Sequence, residues 1–269
     1  MNRNLCLKEI RRNAAGLIIW MVIISALIVV TMSVYPTFLA NHSKVMGMLT
    51  LVPKELLQFK GISSLDDLTS VLGFYASNNA ILMLLLGSIY SIVLSSGMLL
   101  KEEYNKTAEY LLTRPLTRGE VFFSKLAVSG INIFFLNLFT GLAGFISIWI
   151  VKTAAFSVKA FLCLSVYTLL LNILFGATGF LLSTLVRRPR PITAFSIGLV
   201  LILYFIYTIS KIAENVEFLG YLSPFRFVDT NVITAPYTLN TLNLVYFTGF
   251  SLLMLILSYQ LYRRRDIYT

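Results

Sequence analysis

Residues 101–125, KEEYNKTAEYLLTRPLTRGEVFFSK, form a polar island between two long apolar runs. Tyr104, Ala108, Leu111 and Leu112 recur at helical spacing and line one face of a helix. Glu102, Glu103, Lys106 and Glu109 fall largely on the other faces. Pro115 disfavours helical geometry at Arg114 and ends that helix. Thr117 followed by Glu120 then reads as a capping box that opens the next helix, with Gly119 weakening its first turn. The island therefore predicts a short amphipathic helix at a membrane surface, hinged to a helix that re-enters the bilayer.

The rest of the chain agrees with a membrane setting. Of its 269 residues 57% are hydrophobic and 13% charged, where a soluble domain carries about 25% charged residues. The mean hydropathy is +0.81. Working outward from the island, six stretches approach or exceed the roughly 20 apolar residues that cross a bilayer: about 14–35, 80–100, 126–151, 160–186, 192–212 and 242–262. The first is too long for the apolar core of a signal peptide and lacks an evident cleavage site, so it reads as a span. The fold class is an all-α polytopic membrane protein, a single transmembrane domain over residues 1–269 with no soluble domain and no internal repeat.

Charge placement orients it. The N-terminal segment, the island, the turn after the fourth span and the C-terminus hold 15 of the 22 Lys and Arg residues, while the 12 acidic residues divide evenly between the two sides. The positive-inside rule puts both termini and the island in the cytoplasm, and the formal charge of +10 needs no nucleic-acid partner. Cys6 falls in a cytoplasmic stretch and Cys163 in a span, so neither suggests a disulfide or a metal cluster.

Residues 1–13 place Leu5, Leu7 and Ile10 among four basic residues, which suits either a short interfacial helix or a frayed basic tail. The outer segment 36–79 is too long to be structureless. Pro53 offers one helix start there, stopped by Gly61, and Ser64 with Asp67 a second. His42 lies in this segment with no partner at ligand spacing, and no metal site is expected. The outer segment 213–241 is broken by Gly220, Pro224 and Pro236, so it predicts short helices folded against the outer face.

Two sets of residues inside the spans are candidates for helix packing or for a substrate path. Gly87, Ser91 and Ser95 make a stripe of small residues on the second span, where a neighbouring helix can approach closely. Asn132, Asn137 and Asn172 put amides into the third and fourth spans, where such groups bond across helices or touch cargo.

Several chemistries are excluded. The span interiors hold no Asp, Glu, Lys, Arg or His, which argues against a built-in proton relay but leaves sodium coupling open. There is no G-x-x-x-x-G-K-[ST] phosphate loop, no H-E-x-x-H and no G-x-S-x-G serine. The E-E-x-x-x-R pattern of intramembrane CAAX-type proteases fails because Thr107 occupies the arginine position. The island helix then has two open roles: an amphipathic connector resting on headgroups, or a docking surface for a soluble motor.

At these residues the sequence resembles the permease subunits of type-2 ATP-binding-cassette (ABC) transporters. Glu102, Glu103, Thr107, Leu111, Leu112, Pro115 and Arg118 follow the order of that family's motif between the second and third spans, and Lys125 enters the third span. Lys106 stands where the family commonly has glycine. Ser223-Pro224-Phe225 is similar to the stretch before the family's final span, and Pro53 to Leu57 with Gly61 is similar to its outer loop. The resemblance implies an ABC permease, expected to be an exporter, in the lipid bilayer of a bacterial cell membrane. It implies a cytoplasmic ATPase subunit as partner, together with a second permease copy or a sister permease. ATP and Mg would be held by that ATPase, with no cofactor in this chain and no enzymatic activity of its own. The island becomes the coupling helix: Glu102, Glu103 and Thr107 fix it, and Tyr104 and Leu111, with Leu112 beside it, supply apolar anchoring. Pro115 ends it, and Arg114 and Arg118 contact the motor or inner-leaflet phosphates. The basic turn from Arg187 to Arg190 would touch the ATPase or anchor the membrane. A secondary transporter or other polytopic membrane protein acting without an ATPase is the alternative, and an intramembrane enzyme or sensor is a third.

Overall fold

The computed structural model describes residues 3–41, 47, 66–104, 117–152, 155–186, 189–212, 214–229 and 237–264. Eight α-helices matter here: α1 (Arg3–Ser33), α2 (Tyr35–Ala40), α3 (Val71–Tyr75), α4 (Ile81–Tyr104), α5 (Arg118–Val151), α6 (Val158–Leu185), α7 (Pro189–Ile212) and α8 (Thr241–Arg264). Among the described residues six helical stretches are long and apolar enough to cross a membrane, and none of these residues lies in a strand. The protein is an all-α polytopic bundle.

α1 runs unbroken from Arg3, so the basic N-terminal segment continues the first span as one helix of 31 residues. At 1.5 Å per residue that is about 46 Å, longer than the roughly 30 Å hydrocarbon core. Its basic end therefore projects beyond the lipid, with Leu5, Cys6, Glu9 and Asn13 turned onto the bundle. At the opposite end Pro36 opens α2. The helix start read at Pro53 and the residue Ser64 lie outside the described residues. Asp67 belongs to a 3-10 turn, Asp66–Thr69, and the helix leading into the second span is capped instead by Ser70, whose hydroxyl accepts from the Gly73 amide at 3.0 Å. A π-helical turn, Ala76–Ala80, joins α3 to α4.

α4 and α6 form the centre: 67% of the apolar stretch of α6 and 61% of that through α3 and α4 are buried, against 17% for α1 and for α8. Their closeness depends on Gly179, where a Cβ would stand 2.7 Å from the Ile92 carbonyl oxygen and 2.9 Å from the Ser95 Cβ. Small residues let backbones meet where lipid offers no hydrophobic drive between helices. Around this pair α1 packs along α5, α7 along α4, and α8 along α6.

Between α7 and α8 the chain forms two 3-10 segments, Glu214–Leu222 and Pro224–Phe227. They do more than rest on an outer face. The Ser223 hydroxyl donates to the Leu203 carbonyl at 2.7 Å, nine residues before the end of α7 and so about 13 Å back along it. Phe225, 2% exposed, sits among Phe175, Tyr204 and Tyr207.

Candidate functional site

The end of the bundle that carries both termini is assembled around the start of α5. Thr117 adopts an extended conformation and caps the helix, its hydroxyl accepting from the Glu120 amide at 3.2 Å while the Glu120 carboxylate accepts from the Thr117 amide at 3.0 Å. This is the capping box read from the sequence. Gly119 faces Tyr259 of α8, whose hydroxyl would stand in ordinary contact, 3.4 Å, from a Cβ there. Arg118 donates to the Arg263 carbonyl at 3.2 Å, and the Cys6 thiol of α1 lies 3.7 Å from the Ser124 carbonyl. The first helix, the start of the third span and the end of the sixth thus converge.

Lys125 is the residue whose role sequence reasoning missed. It is fully buried, and its ammonium donates to the carbonyl of Met98 in α4. A buried charge is tolerated only where polar groups receive it. Its attachment ties α4 to α5 at the mouth of the segment that connects them, and only its place at the end of a polar island hinted at this. Glu9 is a second unforeseen buried charge, 1% exposed and paired with Arg12 at 2.7 Å.

Of the coupling residues read from the sequence, Thr107, Leu111, Leu112, Arg114 and Pro115 lie outside the described residues, as do the side chains of Glu102, Glu103 and Tyr104. The backbone of these last three continues α4, which runs past Leu100 to Tyr104. Arg118 stands at the first turn of α5. Arg187 and Arg188 are also outside the described residues, and α7 begins at Pro189.

Within the membrane interior the structure brings three of the candidates together. Asn172 on α6 donates to the Asn137 side-chain oxygen on α5 at 3.0 Å and accepts from the Ser88 hydroxyl on α4 at 3.3 Å. Gly87 makes the space, since a Cβ there would stand 2.5 Å from the Asn172 amide nitrogen. Asn137 also donates to its own helix at Ile133. Ser95 bonds Ser129 of α5 at 2.7 Å, whereas Ser91 and Asn132 satisfy themselves within their own helices, on Gly87 and Val128. Ser88 and Ser129 are contributors that no spacing rule separates from the other serines.

The arrangement is a polar chain linking three spans, above a base where a buried lysine joins two of them. Nothing in it forms a nucleophile, a general base or a phosphate cradle. No curated protein matches the chain by sequence. The family described as ABC-2 family transporter protein matches residues 4–267. With a match that runs nearly end to end over a six-span bundle, the chain belongs to the ABC-2 transporter family.

Proposed function

We propose that the chain is the permease half of an ABC exporter, moving its substrate across the cell membrane while a separate cytoplasmic ATPase binds and hydrolyses Mg-ATP. The observation that carries this reading is family membership over residues 4–267 in a sequence with no phosphate-binding loop of its own. The energy then comes from another chain, and the force enters through the segment after α4. Its geometry supports that route. α4 and α5 flank residues 105–116 and are joined at their bases by Lys125, so a push on the segment reaches both helices as a unit. Glu102 and Glu103, at the end of α4, are the acidic residues that fix the coupling helix. The permease works as a pair, with a second copy or a sister chain completing the path, and the amide chain on Asn172 holds three spans as one body during the movement.

The test is purification of the tagged chain from its host. An ATPase subunit is retained by the native protein and lost from the E102K/E103K variant, along with ATP-driven transport. If complex formation and transport both survive the charge reversals, the coupling assignment is wrong. Transport by the purified chain without any ATPase would return the protein to the secondary transporters. Growth of a deletion strain against antibiotics, antimicrobial peptides and sodium identifies the class of substrate.

A further inference from the structure

α8 leans along α6 more than along α5, and near its C-terminal end Tyr259 packs on Phe122 and Phe123 of α5 at ring distances of 5.3 and 5.4 Å. Between α5 and α8 lies a groove of about 740 Å3, open to the outside of the bundle. Its walls are Phe122 and Leu126 from α5 with Leu252 and Ile256 from α8; its rim is Tyr259, Gln260, Arg263 and Arg264. From one end of the groove to the other, the lining passes from aliphatic to aromatic to amide to guanidinium.

That order is the polarity gradient of a lipid leaflet from tail to phosphate. The length agrees as well. Eleven residues separate Leu252 from Arg263, a rise of about 16 Å, close to half of the roughly 30 Å hydrocarbon core. Among the described residues neither Arg263 nor Arg264 pairs with a carboxylate, and both are exposed at the rim. Planar guanidinium groups suit phosphate oxygens because they can donate two parallel hydrogen bonds. We infer that this groove binds one anionic phospholipid of the leaflet at the basic end, its acyl chain along Leu252 and Ile256 and its phosphate on Arg263 and Arg264. The site abuts the first turns of α5, so the lipid braces the point where the connecting segment enters the span.

The probe is a mixture of phosphatidylglycerol and phosphatidylcholine offered in equal amounts to the purified protein with whatever subunits accompany it, with bound lipid counted by native mass spectrometry. Phosphatidylglycerol is retained in preference. R263A/R264A loses roughly fivefold in retention for each arginine removed. I256W fills the groove and lowers phosphatidylglycerol retention with both arginines in place. Ile256 is 54% exposed, so this variant keeps its fold and carries the test even if the double variant does not. Equal retention of the two lipids by the native protein overturns the inference. So does undiminished retention by I256W, which would reduce the effect to headgroup attraction alone. Disulfide formation between two copies of I256C also overturns it, because a second chain would then occupy the groove.

Discussion

An ammonium withdrawn from water needs acceptors, and Lys125 finds one on a different helix. Its stem fills space between α4 and α5 while its charge fixes their separation. Lys125→Met keeps most of that volume and removes the charge, so the variant folds but loses the tie; ATP-driven transport falls while the amount of monodisperse protein does not. Lys125→Glu instead buries a carboxylate against a carbonyl, a loss of about 3–5 kcal/mol, and the protein is recovered aggregated or at much lower yield in size-exclusion chromatography. Equal behaviour of the two variants would show that Lys125 is merely packed. At this scale the sequence was only partly legible. Asn172 stands out because amides are rare in spans, and Gly87 because it falls in a four-residue stripe with Ser91 and Ser95. Lys125 does not, because hydropathy ends the span at a charge and cannot tell a lysine bonded to a neighbouring helix from one dissolved in headgroups. The same blindness applies to Glu9, whose burial depends on α1 staying helical through its basic turns.

Among elements, the contact of α4 with α6 sets the bundle, and its geometry is fixed by glycine. Any side chain at Gly179 meets the backbone of Ile92 and Ser96, which cannot swing aside. Gly179→Leu therefore forces the two central helices apart at a cost of about 1–3 kcal/mol or more. Gly249→Leu on α8 has open space around it and serves as the control. Thermal unfolding in detergent checks the pair: a lowered midpoint for the first, little change for the second, and the assignment of α4 and α6 as the centre fails if the order is reversed. The six spans themselves were legible, since composition over 20 residues is a strong signal. The segment after α7 was legible only as a region that could not span. Gly220 and Pro224 announce breaks, but the return of Ser223 and Phe225 along α7 rests on contacts between residues far from helical register.

For the molecule as a whole, the structure gathers both termini and the ends of α4 and α5 at one end of the bundle, and the basic residues say which side of the membrane that end meets. By sequence, the N-terminal segment, the island, the turn after the fourth span and the C-terminal segment hold fifteen of the 22 Lys and Arg residues while the acidic ones divide evenly, and on the positive-inside rule we propose that this end faces the cytoplasm. The native thiols give a low background for testing this, because Cys6 and Cys163 are both buried. With those two replaced by serine, a single cysteine is placed at Lys8, exposed on α1, or at Lys159, exposed at the start of α6. A membrane-impermeant maleimide added to intact cells labels K159C and spares K8C; after permeabilisation it labels both. The reverse pattern would turn the connecting segment outward. No ATPase of the cell interior could then reach it, and the proposed route of force from ATP to the spans would be physically closed, whatever the family resemblance. Labelling of both positions in intact cells would break the count of spans instead, since three crossings, an odd number, are what put Lys8 and Lys159 on opposite sides.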